Sequence, residues 1–246
     1  MGEDAPPPLV RQGYRPVTGS PWDQRIARAA ELEQTWPPAA ELLRFYRQVA
    51  QDSWPAPPSI EPLLRLVARE GPSPLSLAAE ALLGEPEQWE TVVETPSSPA
   101  EAFFSQAFRQ PHQEALARRG GARRTSVQPL CPFCNNKPLV AILRPEGDGA
   151  KRSLLCSICF TEWEFRRLLC PHCGEEDKDK LPVYTAKEFP HIRVEACDTC
   201  RTYIKAIDLS VNGLAVPEVD ELASISLDLW AAEHDYTKLQ TNLFGL

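Results

Sequence analysis

The sequence predicts an α+β protein. It should have an N-terminal all-helical domain, two tandem small β modules of zinc-ribbon-like, metal-binding design, and a C-terminal helix. Three observations predict it. Of 25 prolines, 18 lie in residues 1–130 and 7 beyond them, while all 8 cysteines lie beyond residue 130. Those cysteines form four C-x-x-C pairs with none left over. The sequence around the pairs repeats after 39 to 41 residues. The whole is 246 residues long, 43% hydrophobic and 24% charged, which is a globular composition.

The elements follow in order. Residues 1–19 read as a disordered, Pro-rich start. Its opening, Met1-Gly2-Glu3-Asp4-Ala5-Pro6-Pro7-Pro8, is acidic and so unlike a signal peptide. Residues 20–125 read as the helical domain. Ser20-Pro21-Trp22-Asp23 is an N-cap with Pro in the first turn, and its helix should run to about Trp36. Ala39–Trp54 follows, with Leu42, Leu43, Tyr46 and Val49 on one face. Ile60–Glu70 turns Leu63, Leu64, Val67 and Ala68 inward. Leu75–Leu83, Glu87–Val93 and Ala100–Arg118 complete the set, with Pro111 expected to kink or end the last. Gly120-Gly121-Ala122-Arg123-Arg124-Thr125 reads as a linker, and its Arg pairs as solvated.

The four cysteine pairs are Cys131/Cys134, Cys156/Cys159, Cys170/Cys173 and Cys197/Cys200. Structural disulfides rarely persist in a reducing compartment, and bridging within C-x-x-C closes only tiny loops. A thioredoxin-like site needs one C-x-x-C at a helix start, and four pairs flanked by strand-like sequence fit that poorly. Metal fits best. Two C-x-x-C knuckles supply four thiolates to tetrahedral zinc, or to iron in a mononuclear sulfur site. The spacings are C-x2-C-x21-C-x2-C and C-x2-C-x23-C-x2-C.

The internal repeat decides which knuckles share a metal. Cys131-Pro132-Phe133-Cys134 matches Cys170-Pro171-His172-Cys173, and Cys156-Ser157-Ile158-Cys159 matches Cys197-Asp198-Thr199-Cys200. Strand candidates also correspond: Leu139–Leu143 with Pro182–Ala186, Arg152–Leu155 with Ile192–Ala196, and Phe160–Phe165 with Thr202–Ile207. Sequential pairing is therefore expected, with one three-stranded unit and one metal per repeat, over residues 126–168 and 169–212. Asn135 and Gly174, each just after a knuckle, tolerate the left-handed backbone such turns need. Units this short build too little apolar core, so metal should supply the missing stability. His172 sits inside a knuckle already served by two thiols and reads as a neighbour rather than a ligand. Glu175-Glu176 reads as part of a solvated loop. Residues 213–246 read as a helix opening at Val216-Pro217, striped by Val219, Leu222, Ile225 and Leu229, and an extended tail.

Charge excludes several functions. The net charge is −8, split −3 and −5 between residues 1–130 and the rest. Neither part would neutralise phosphates, so no nucleic-acid partner is expected. No apolar run approaches the roughly 18–20 residues of a membrane span. A cytoplasmic protein that is not an enzyme is expected, since no catalytic motif stands beside the cysteines.

The knuckles and their surroundings resemble the formate dehydrogenase accessory protein family, FdhE. The residues that carry the resemblance are Cys131–Cys134, Cys156-Ser157-Ile158-Cys159-Phe160-Thr161-Glu162-Trp163 and Glu195-Ala196-Cys197-Asp198-Thr199-Cys200-Arg201-Thr202-Tyr203-Ile204-Lys205. Asp220–Asp228 and Asn242-Leu243-Phe244 add to it, with Glu221 and Leu243 departing from the family pattern. The resemblance implies rubredoxin-like modules and two tetrathiolate-bound metal ions, iron or zinc. Cys131, Cys134, Cys156 and Cys159 would hold one, and Cys170, Cys173, Cys197 and Cys200 the other. It implies a maturation factor that binds the catalytic subunit of formate dehydrogenase, and it leaves self-association open. Asp198 and Tyr203 match the motif at the last knuckle, with local hydrogen bonding and strand packing as their expected roles. Two other readings compete: a rubredoxin-type electron-transfer protein and, less well supported, a nucleic-acid-binding zinc ribbon.

Overall fold

The computed structural model describes residues 20–120, 128–147 and 149–246. The expected disordered start and most of the expected linker, including Arg123-Arg124, lie outside the described residues.

Six helices come first: α1 (Pro21–Thr35), α2 (Ala40–Ser53), α3 (Glu61–Glu70), α4 (Ser73–Leu83), α5 (Trp89–Glu94) and α6 (Pro99–Gly120). α1 begins as expected. The Ser20 hydroxyl accepts from Asp23 N, and the Asp23 carboxylate accepts from Ser20 N, with Pro21 in the first turn. Leu43, Tyr46, Val49, Leu63, Leu64 and Val67 are buried in one core with Phe45, Phe103 and Phe104. Leu42 and Ala68 are only partly buried at its edge. Pro111 does not end the last helix, which runs on to Gly120. Proline costs a helix one hydrogen bond. Here that loss is offset because both halves of α6 are anchored. Phe103, Phe104 and Ala107 lie in the helical core, and Ala117 packs beyond Pro111 against the sheet.

The sheet comprises β1 (Pro138–Glu146), β2 (Gly149–Cys156), β3 (Glu162–Glu164), β4 (Val183–Ala186), β5 (Phe189–Cys197), β6 (Thr202–Asp208) and β7 (Thr237–Lys238). Each repeat forms three antiparallel strands, but the two units do not stand apart. Their order is β3-β2-β1-β6-β5-β4, with β1 and β6 joined in parallel at Ala141–Leu143 and Ala206–Asp208. The apolar runs explain the fusion. β6 is buried along its whole length, and β1 over its first six residues. Buried strands must pair the backbone N–H and C=O groups along both edges. β7 pairs with Thr202 and Tyr203, so it takes the stretch of the β6 edge that β1 leaves free.

The expected single C-terminal helix is two: α7 (Pro217–Ala223) and α8 (Ile225–Glu233), broken at Ser224. Val219 and Leu222 are buried, but Ile225 is half-buried and Leu229 is 62% exposed. The break turns α8 so that Leu227, Asp228 and Ala231 face inward instead. α7 lies between α1 and α2 on one side and β1 and β6 on the other, and so couples helices to sheet.

Trp163 shows how much the first unit depends on one side chain. It is 1% exposed, packs with Cys131 and Cys156, and its indole N–H donates to Gln128 O at 2.9 Å. Trp163→Ala is expected to lower unfolding free energy by about 3–5 kcal/mol, read by urea denaturation.

Candidate metal centres

Two groups of thiols gather, and they follow the repeat. The Sγ atoms of Cys131, Cys134, Cys156 and Cys159 lie within 4.8 Å of one another, as do those of Cys170, Cys173, Cys197 and Cys200. In the first group Cys131–Cys159, Cys134–Cys156 and Cys134–Cys159 are separated by 3.5, 3.3 and 3.4 Å. In the second, Cys170–Cys200 and Cys173–Cys197 are separated by 3.8 and 3.6 Å. A tetrahedron with metal–sulfur bonds of about 2.3 Å has edges near 3.8 Å. A disulfide would need about 2.05 Å. The spacing is therefore that of a tetrathiolate metal site, and the donor set suits zinc or iron.

The knuckles explain how the backbone presents these atoms. In each repeat the first knuckle precedes the first strand, and the second follows the middle strand. Since β1 and β6 run parallel, both centres lie toward the same end of the sheet. The residue after each knuckle has positive φ: Asn135 (61°), Phe160 (51°), Gly174 (78°) and Arg201 (54°). Asn135 and Gly174 were legible as such positions; Phe160 and Arg201 were not, since bulky side chains seldom adopt this backbone. The turns also aim backbone N–H groups at sulfur. Phe133, Ile158 and His172 donate to Cys131, Cys156 and Cys170 at 3.4 Å each. Such bonds favour the thiolate that a metal requires.

Crowding perturbs the thiols. Hydrogen bonds with Cys131, Cys156 and Cys159 hold Cys134 far below the usual thiol range. Those with Cys131, Cys134 and Cys159 push Cys156 far above it. Four thiols this close compete for protons, and a dication displacing them would relieve the conflict.

The two residues named beside the last knuckle reach further than expected. Asp198 accepts from the Tyr236 hydroxyl at 2.5 Å and pairs with Arg201 at 3.1 Å. Arg201 lies over the Tyr236 ring and donates to the carbonyls of His234 and Asp235. Tyr203 is 3% exposed, and its hydroxyl donates to Asp228 Oδ1 at 2.7 Å. Both therefore tie the knuckle and β6 to the C-terminal segment. His172 is exposed, with Nδ1 2.9 Å from the Thr202 hydroxyl. Glu175 accepts from the Thr199 hydroxyl at 2.6 Å and from the N–H groups of Glu176 and Asp177, so it braces the last knuckle against its loop.

Sequence reasoning missed a buried charge cluster. Lys205, fully buried in β6, lies 2.9 Å from Glu221 and 2.7 Å from Asp228, and donates to Glu221 O and the Ser224 hydroxyl. Lys238 pairs with the same two carboxylates, and the Asn242 amide donates to Glu221. Burial alone would raise Glu221, but Lys205 and Lys238 outweigh it and hold the carboxyl at about 2. Burial pushes the Lys205 ammonium down. Two further buried arginines join the helices to α7. Arg28 pairs with Asp220, which also meets His191, and Arg25 bridges Glu114 and Glu218 with its guanidinium 4.0 Å from the Phe160 ring. Asp220, Glu221, Asp228 and Asn242 stand in the motifs quoted for the resemblance, so those motifs build a joint rather than a metal site. A lysine inside the apolar run Tyr203-Ile204-Lys205-Ala206-Ile207 was the available signal.

Residues 130–167 match a family model described as the FdhE central domain, and residues 168–244 one described as the FdhE C-terminal domain. A protein FdhE homolog of Aquifex aeolicus is 42% identical over 117 residues, which are 47% of this chain and 41% of that protein. One from Pseudomonas aeruginosa is 32% identical over 133 residues, 50% of this chain and 42% of that protein. The chain thus spans about 40% of the length of the curated relatives it matches. The crystal structure of the FdhE protein from Pseudomonas aeruginosa shares the fold, with a TM-score of 0.68 at 22% identity, over 92% of this chain and 96% of that one.

Proposed function

Because the chain belongs to the FdhE family over residues 130–244, we propose that it is a maturation factor for formate dehydrogenase. It holds two metal ions, iron or zinc, through its eight cysteines and docks on the catalytic subunit so that active enzyme can assemble. The observation that carries this reading is the pair of ready-made tetrathiolate sites inside the family-matched segment. Cys131, Cys134, Cys156 and Cys159 would hold one ion, and Cys170, Cys173, Cys197 and Cys200 the other. Bound metal would supply cross-linking of the short units and, if iron, one-electron chemistry. The protein acts by binding, in the cytoplasm, and takes no catalytic step of its own. Among the described residues no helix is long and apolar enough to cross a membrane.

Three measurements test this. Protein purified without air should contain two metal ions per chain by elemental analysis. An iron protein should show a visible absorbance that bleaches reversibly on reduction, whereas a zinc protein is colourless. Co-expression with a formate dehydrogenase catalytic subunit should yield a complex on affinity purification. Clean purification of the chain alone, at matched expression, would count against the proposed partner.

A further inference from the structure

We propose that the two centres are unequal: the first is a permanent structural centre, and the second is exchangeable and open to an external thiol or chelating ligand. This rests on the reading that both thiol groups hold metal.

Three of the four cysteines of the first group are enclosed. Cys131, Cys156 and Cys159 are 3%, 0% and 1% exposed. They belong to an apolar cluster with Ile158, Trp163 and Phe165, and Ala117 of α6 closes it. α6 also clasps the second knuckle directly, since Gln110 donates to Ser157 O at 3.0 Å. Only Cys134 of this group is half-buried rather than buried, so the apolar cluster and α6 restrict access to this metal.

The second group is less covered. Cys170 and Cys197 are buried, but Cys173 is exposed and Cys200 half-buried. None of its four cysteines belongs to an apolar cluster among the described residues. Cys170 and Cys197 instead form part of the wall of a cleft of about 380 Å³, between the sheet and the Arg167–His172 segment. The cleft is large enough for a small-molecule ligand. Leu168 and Val183, each 53% exposed, stand at this cleft. A ligand therefore meets exposed Cys173 and half-buried Cys200 without disturbing any helix. Thiolate chemistry follows access, so exchange should follow it too.

The test uses the full chain loaded with zinc, challenged with EDTA in the presence of iodoacetamide. Samples are quenched over time and the alkylated cysteines mapped by mass spectrometry. Cys170, Cys173, Cys197 and Cys200 should be alkylated at least about tenfold faster than the other four, because the first centre needs a local opening that the second does not. Zinc should leave in two phases of one ion each. Equal rates for all eight cysteines, or the reverse order, would overturn the proposal. A chain that takes up only one zinc overturns the metal reading beneath it, and the zinc content before EDTA is added identifies that outcome.

Discussion

Removing metal from the loaded chain is expected to melt the sheet while leaving most of the N-terminal helical signal in place. Each three-stranded unit is too short to bury a sufficient apolar core. Structural zinc in comparably small units contributes apparent binding energies of about 10–16 kcal/mol, which are also folding energy. The helices do not share that dependence. Their core is built mainly from Leu43, Val49, Leu64, Phe103, Phe104 and their neighbours, with Val219, Leu222 and Leu243 as later additions. Circular dichroism should therefore lose the near-ultraviolet signal of Trp163 and strand ellipticity while helical ellipticity largely persists. Cys156→Ser should do the same to the first unit without chelator. Intact strand signal in metal-free protein would show that the fused sheet holds itself.

The second large effect is expected at Lys205. Lys205→Met should lower unfolding free energy by about 3–5 kcal/mol, because breaking a buried pair leaves an uncompensated charge. Glu221 and Asp228 would remain, and Glu221 is fully buried. Lys238 still contacts both, so the loss should fall toward the lower end of that range. Adding Glu221→Leu should recover part of it, since removing both partners costs less than removing one. A Lys205→Met variant as stable as the parent would dismiss the cluster as a structural joint. The same joint predicts an acid dependence. Glu221 titrates at about 2 in the fold against an ordinary 4.5. A depressed carboxyl contributes fully above the ordinary value and loses its contribution as pH falls toward the folded one. Stability should therefore drop between pH 4.5 and 2, and less steeply in Glu221→Gln, measured by urea midpoints across that range.

Local features of the molecule were legible and long-range ones were not. The capping residues Ser20 and Asp23, the knuckle turns at Asn135 and Gly174 and all six main strands follow from nearest neighbours in the chain. The repeat also anticipated which thiols gather. The β1–β6 join was hidden because period-2 patterning tells which face a residue takes, not which strand lies alongside. Ala141–Leu143 and Ala206–Asp208 carry no mark that they meet. Their position beside the knuckle suggests local roles for Asp198 and Tyr203, yet their partners, Tyr236 and Asp228, lie far along the chain. Nothing in the local sequence marks Arg25 and Arg28 as interior charges. Only the carboxylates of α6 and α7 make them interior ones.

The order β3-β2-β1-β6-β5-β4 carries a further consequence. Read by repeat, it is third-second-first twice over, with both units pointing the same way, so one copy maps onto the other by a shift along the sheet rather than by a twofold axis. A joint between unlike edges has no built-in closure, and the same geometry could add units without limit. What stops the array at two is local chemistry at its ends. β3 is only three residues long and places Glu162 and Glu164 either side of Trp163, while β4 at the far end is four residues long. Short margins, charged at β3, discourage further strand addition. Lengthening β3 and replacing its glutamates by threonine would remove the terminator, and filament growth in light scattering would be the sign.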